Sequence, residues 1–240
     1  MQEVARLALQ RDALLHVDAV QLVGKAQMPI QPDSVAVAAH KIRGPKGIGA
    51  LVTRPGVALA PLLRGGEQER GLRPGTADPI AAAGFACAAK RARSTPAHYQ
   101  RLEPMRDRFE QRLMTLLAQH GTVARNGTAL RLPHVVNLSV GGWNGPELCA
   151  ALDLEGIAIS SGSACSAGTA EPSPVIEAMV GRERARSAIR ISLGEATTEE
   201  ELGAAYEAFE RVINRFVKSC LLYTSPSPRD ATLSRMPSSA

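Results

Sequence analysis

Apolar and polar positions follow two rhythms along this chain. Residues 2 to 12 repeat at helical spacing. Val4, Leu7 and Ala8 share one side, and Glu3, Arg6, Arg11 and Asp12 stand among them, which predicts an amphipathic helix. Shorter apolar runs come next. "ALLHVDAV" predicts a buried strand ending near Asp18, and "SVAVAAH" predicts a second strand. "GIGALVTRP" predicts a third, and the "RGPKG" segment before it suits a turn between antiparallel strands. "RGGEQERGLRPGT" (64–76) is glycine-rich and charged and reads as a loop. "ADPIAAAGFACAAKRARS" predicts a helix of small residues, suited to close packing. A further helix over about 98 to 120 carries Leu102, Met105, Phe109, Leu113 and Leu116 as its apolar stripe.

Beyond Gly121 the pattern changes. "HVVNLSV" (134–140) predicts a strand, "GPELCAALDLEG" a helix and "IAIS" (157–160) a strand. The small-residue loop "SGSACSAGTAEPSP" leads to another strand, "AIRISLG". Thr198 and Glu201 form a capping-box signature ahead of a long amphipathic helix. The expected organisation is one domain over 1–95 and a smaller one over 96–218. The serine- and proline-rich stretch 219–240 lacks periodicity and is expected to be a disordered, non-native tail.

Composition narrows the class. Twenty-eight Lys and Arg against 23 Asp and Glu give a net charge of +5. The excess is spread along the chain and aromatics are 3%, so a nucleic-acid partner is not expected. No apolar run approaches the roughly 20 residues that span a bilayer, and no membrane partner is expected. Cys87, Cys149, Cys165 and Cys220 include no C-x-x-C pair, which argues against a disulfide framework or zinc ribbon. A reducing cytoplasm is the expected compartment.

Four residues are out of character with their surroundings. Lys41 follows the second strand and precedes a glycine turn. A lysine there is either an ordinary solvated amine or one positioned to condense with a carbonyl compound. Asp18 ends the first strand. It is either a cap or surface ion pair, or the partner of a buried cation such as the ring nitrogen of pyridoxal phosphate. Cys165 sits among small polar residues, as a reactive thiol would, although an incidental loop cysteine would look alike. Cys87 and Cys149, with apolar neighbours, read as buried packing residues. Arg190 interrupts a strand pattern, where its planar fork suits a carboxylate ligand.

The segments "LLHVDAVQ", "AAHKIRGPKGIGALV", "RGGEQERGLRPGT", "NLSV", "SSGSACSAG" and "IRISLG" occur in this order. Together they resemble the cysteine desulfurases, pyridoxal-phosphate enzymes of the class V aminotransferase-like group, over residues 2 to 218. The serine/glycine type of cysteine loop is similar to the iron–sulfur-cluster and nitrogen-fixation branch. The resemblance implies an α/β fold, the C-terminal part of fold type I. It would comprise an incomplete large-domain sheet, holding part of the cofactor site within 1–95, and a small α+β domain with the cysteine loop.

It also implies roles. Lys41 would bind pyridoxal 5'-phosphate covalently, Asp18 would pair with its ring nitrogen, and Gln21 would hydrogen-bond its phenolic oxygen. His40 and Thr76 would hold its phosphate, Thr76 across a homodimer interface. Arg190 would bind the carboxylate of L-cysteine. Cys165 would take the sulfur as a persulfide and pass it to an acceptor such as an iron–sulfur scaffold protein. No resident metal site is implied, beyond an iron–sulfur contact of Cys165 through a scaffold partner.

The chain departs from the family pattern in two ways. Ala38 stands where a serine hydroxyl usually meets the phosphate, a loss of about 1 kcal/mol. The family's segment before "EVARLAL" has no counterpart here, including its phosphate-cradling helix N-terminus. The chain is therefore expected to be a truncated desulfurase, inactive alone. Selenocysteine lyase, another class V enzyme and a non-catalytic fragment are the alternatives.

Overall fold

The computed structural model of the chain describes residues 1–128, 131–162 and 171–224, with side chains described up to residue 216. Two compact units result, Met1–Glu103 and Pro104–Ala240. The division lies downstream of the expected boundary near residue 95, inside a helix.

The first unit opens with helix α1 (Gln2–Gln10), which buries none of its residues. Val4 is 55% exposed, so the apolar stripe read from the sequence is present but uncovered. Strands β1 (His16–Asp18) and β2 (Ser34–Ala38) pair in parallel. Strand β3 (Gly49–Thr53) returns antiparallel to β2, as the intervening glycine turn predicts. All three strands are shorter than their apolar runs. One carboxylate joins the sheet's ends. Asp33 Oδ2 accepts the Leu15 N–H at 2.6 Å, and Arg54 Nε donates to Asp33 Oδ1.

The Leu15 N–H first, and then Arg54, hold the Asp33 carboxyl below the usual carboxylate range. A depressed folded-state value stabilises above the ordinary carboxylate pKa. The stabilisation disappears as pH falls through the folded value. Asp33→Asn should therefore lower the urea midpoint at neutral pH and narrow the gap between parent and variant in acid. Equal midpoints at neutral pH would contradict this.

Helix α2 (Pro79–Ala92) starts from Asp78, whose side chain accepts the N–H groups of Ile80 and Ala81. Its small residues let the chain after β2 come close. A Cβ added to Gly44 would meet the Ala39 Cβ at 3.0 Å and the Ala88 Cβ at 3.1 Å. Helix α3 (Thr95–Leu117) contains Pro104, where the two units divide.

In the second unit, β4 (Val123–Arg125), β5 (Val135–Val140) and β6 (Ala188–Ser192) form an antiparallel sheet in that order. Val136, Leu138, Val140, Ile189 and Ile191 are buried. They share the core with Phe109, Leu113 and Leu117 of α3 and with Leu148 and Leu152 of α4 (Gly145–Asp153). Two short helices, α5 (Pro174–Val180) and α6 (Arg182–Arg186), precede β6. Helix α7 (Glu199–Thr224) closes the unit. The capping box forms as read: Glu201 Oε2 accepts the Thr198 N–H at 2.9 Å, and Thr198 Oγ1 accepts the Glu201 N–H at 3.2 Å.

Three sequence expectations differ from the structure. "IAIS" forms only an isolated bridge at Ser160. Strand β4 and helices α5 and α6 carry no periodicity long enough to reveal them. Helix α7 continues to Thr224, past the expected start of the tail at 219, because "SCLLY" extends the helical run; the rest of that tail lies outside the described residues.

Charge is buried in this unit. Glu110 of α3 is fully buried. It accepts two hydrogen bonds from Arg131, at 2.5 and 2.6 Å, and pairs with Arg125 at 2.8 Å. Removing one partner from such a network leaves uncompensated charge. Glu110→Ala should cost about 3–5 kcal/mol, read from denaturant unfolding of the chain. A loss under about 1 kcal/mol would show that the arginines find water instead.

Candidate active site

Most of the candidate residues of the first unit rise from adjoining strand ends. Parallel pairing sets Asp18, the last residue of β1, opposite Ala36 of β2. The carboxyl ends of neighbouring parallel strands are where open α/β sheets collect ligands. Asp18 Oδ1 accepts the Val20 N–H at 3.0 Å and starts a turn. That turn continues through hydrogen bonds from Val23 N–H to the Ala19 carbonyl and from Ala26 N–H to the Leu22 carbonyl, both at 3.0 Å. Gln21 and Lys25 lie on this turn, one helical repeat apart, and Lys25 Nζ donates to Gln21 Oε1.

Gly24 completes the turn at φ +75°. A Cβ there would lie 3.2 Å from both Ala92 Cβ and Thr95 Oγ1. Thr95 Oγ1 in turn donates to the Gly24 carbonyl at 2.5 Å. The turn that carries Gln21 and Lys25 is therefore fastened to the end of α2 and the start of α3.

Strand β2 ends at Ala38, and His40 and Lys41 fall on a single 3-10 turn, Ala39–Ile42. They are not strand residues, as the sequence suggests. Ala39 is fully buried, His40 is exposed and Lys41 is half-buried. Arg43 adopts the left-handed region, and Gly44 N–H closes back on the Ala39 carbonyl at 2.8 Å. The tight exit explains why a buried-looking run tolerates Lys41: the chain turns toward solvent at that point. Asp18 and Gln21 are exposed as well, so Asp18 needs no buried cation within this chain. Thr76 is exposed, two residues before the Asp78 cap.

Electrostatics single out a residue that the sequence reading passed over. Burial first, and the charge of Lys41 second, pull the Lys25 amine below the ordinary lysine range. The i,i+4 spacing from Gln21 was the available signal.

The second unit holds Arg190 and the root of the cysteine segment. Arg190 is half-buried in β6, opposite Asn137 of β5. Its N–H donates to the Ser160 carbonyl at 2.6 Å, and the Ser160 N–H donates to its carbonyl at 3.0 Å. Among the described residues no carboxylate pairs with its guanidinium. Cys165 lies outside the described residues. The two other cysteines differ from their expected burial: Cys87 is exposed and Cys149 is only partly covered. Cys87 lies on the exposed side of α2, whereas the adjacent Ala88 is buried. Burial pushes the Cys149 thiol up, and a hydrogen bond with the Ser161 side chain partly offsets this.

The chain is similar to known proteins over most of its length. The cysteine desulfurase NifS of Azotobacter vinelandii is 38% identical over 207 residues, covering 84% of this chain and 51% of that protein. A solved NifS-like protein superposes with a TM-score of 0.74 at 31% identity, over 88% of this chain and 56% of the other. SspA, solved in complex with cysteine, gives a TM-score of 0.58 at 28% identity over 81% of this chain and 54% of the other. The chain thus spans about half the length of the curated relatives it matches. The aminotransferase class-V family model matches residues 1–204, most of the sequence, and the chain belongs to the class V aminotransferase family.

Proposed function

We propose that these residues form part of a pyridoxal-phosphate-dependent cysteine desulfurase. The enzyme removes sulfur from L-cysteine, leaves L-alanine, and hands the sulfur from a Cys165 persulfide to an acceptor. The observation that carries the reading is the placement of Asp18, Gln21, His40 and Lys41 at adjoining carboxyl ends of β1 and β2.

The residues present fit the cofactor. Asp18 has one oxygen on Val20 N–H and, among the described residues, no partner for the other, leaving it for the ring nitrogen. Gln21 offers an amide to the phenolic oxygen, and His40 and Thr76 offer donors to the phosphate. When bound, the cofactor supplies an electron sink for the substrate's α-carbon. Lys41 then holds or moves the proton at that carbon through its amine. Arg190 would grip the substrate carboxylate with its paired N–H groups. Cys165 as a thiolate would attack the substrate sulfur, forming the S–S bond as the substrate Cβ–S bond breaks. The electron pair of the broken bond is left to Cβ, which takes up a proton to become the methyl group of alanine.

A second copy of this chain is the proposed partner of the stretch 55–78, where Leu62 is 98% and Leu63 67% exposed. Thr76 lies in that stretch. An iron–sulfur scaffold protein suits the role of acceptor. Asp18, His40 and Thr76 are all exposed, so a polypeptide limited to these 240 residues is expected to hold the cofactor weakly and to release no sulfide.

The test offers L-cysteine and pyridoxal phosphate, with a reductant, to the entire gene product. Alanine and sulfide in equal amounts support the reading. Keto-acid production without sulfide would make the protein a transaminase instead.

A further inference from the structure

Lys25 is a half-buried amine on the turn after β1, outside every role assigned above. Its Nζ donates to Gln21 Oε1. An ammonium offers three donors and no acceptor, so only the carbonyl end of the Gln21 amide can face it. The amide is planar, and its Nε2 hydrogens therefore point to the other side. Without Lys25, the carbonyl and amino ends of a glutamine are nearly equivalent in shape, and either can face a ligand.

We infer that Lys25 is a positioning residue that fixes the Gln21 amide with its N–H donors turned outward, toward a ligand that carries an anionic oxygen. The inference rests on the proposed cofactor reading for the identity of that ligand, the phenolic oxygen of pyridoxal phosphate. The reversed amide would set two acceptors against each other. The turn itself is anchored by Gly24 and Thr95, so the Lys25 stem starts from a fixed base. The charge of Lys41 bears on the Lys25 amine, so Lys25 lies near the turn after β2 as well as on the turn after β1.

The experiment has two arms. In the first, the 15N-labelled 240-residue chain is studied without cofactor, and the Gln21 side-chain amide is assigned by its loss in Gln21→Glu. Lys25→Met should shift that amide and raise its mobility, while Lys25→Arg, which keeps a charged donor, should stay near the parent. In the second, pyridoxal phosphate is titrated into the entire gene product and followed by its visible absorption. Lys25→Met should weaken binding roughly ten-fold, the worth of one charge-assisted hydrogen bond. Gln21→Leu should weaken it to the same extent, and the double variant should lose nothing more.

An unmoved Gln21 amide in Lys25→Met, in a spectrum that otherwise retains its dispersion, overturns the inference. Additive losses in the double variant overturn it too. A parent protein with no cofactor-dependent absorption sinks the cofactor reading alone, because the amide arm still judges the orientation set by Lys25.

Discussion

Lys41→Ala eliminates the cofactor's protein-bound visible absorption and sulfide release together, with turnover falling on the order of 10³-fold or more. Both losses have one cause. The amine of Lys41 is the group proposed to bind the cofactor covalently and to hold the α-carbon proton, so no other side chain can restore either function separately. The placement is specific. Lys41 stands on the 3-10 turn beyond β2, one residue after His40 and close enough to Lys25 for its charge to bear on that amine. Lys46 is exposed beyond the turn, and Lys25 is committed to Gln21. Borohydride reduction of the cofactor-loaded protein, followed by peptide mapping, should find the adduct on Lys41. Label on Lys25 or Lys46 in the parent protein would transfer the role.

Cys165→Ser keeps that absorption and abolishes sulfide release. A serine hydroxyl at neutral pH is far less nucleophilic than a thiolate, while Asp18, Gln21 and Lys41 are untouched by the change. The other candidates for the sulfur carrier are poorly suited. Cys149 has a thiol raised by burial and engaged with Ser161, and so has little thiolate character. Cys87 is exposed on α2, a helix that brings none of the assigned residues. After a single turnover with 35S-cysteine, label should appear on Cys165. Label on Cys149 would overturn the assignment. Loss of absorption in Cys165→Ser would mean that the cysteine supports the cofactor site, contrary to a purely sulfur-transferring role.

Much of the candidate site was legible in the sequence because its residues break local rules. Lys41, Asp18 and Arg190 are ionisable groups attached to apolar runs, and such exceptions stand out against the pattern. The structure relocates rather than removes them: Lys41 moves from a strand end to a turn, and Asp18 from a buried position to an exposed one. The long periodic helices α3 and α7 were readable for the opposite reason, that many residues agree in reporting one face. Strand β4, with three residues, and helix α6, with five, are held by their neighbours and leave no signature of their own. Lys25 was missed because a lysine four residues after a glutamine looks like any solvated helix face. The burial of Glu110 was hidden because its arginine partners are distant in sequence. Cys87 shows the opposite error, since apolar neighbours along a chain say little about which side of a helix is wet.

The mutual backbone hydrogen bonds of Ser160 and Arg190 have a consequence for how this chain can diversify. Gly162 and Glu171 are close neighbours in the second unit. A methyl group placed on Gly162 would lie 4.0 Å from the Glu171 carbonyl oxygen, so the two ends of the intervening span meet. When the ends of a loop are already held together, doubling its length adds only about 0.6 kcal/mol of closure entropy. An insertion between Gly162 and Glu171 is therefore expected to cost the second unit little stability, while Arg190 stays where the sheet puts it. Under the proposed function, the reach of Cys165 toward an acceptor would become an evolvable quantity, uncoupled from the proposed grip of Arg190 on the substrate.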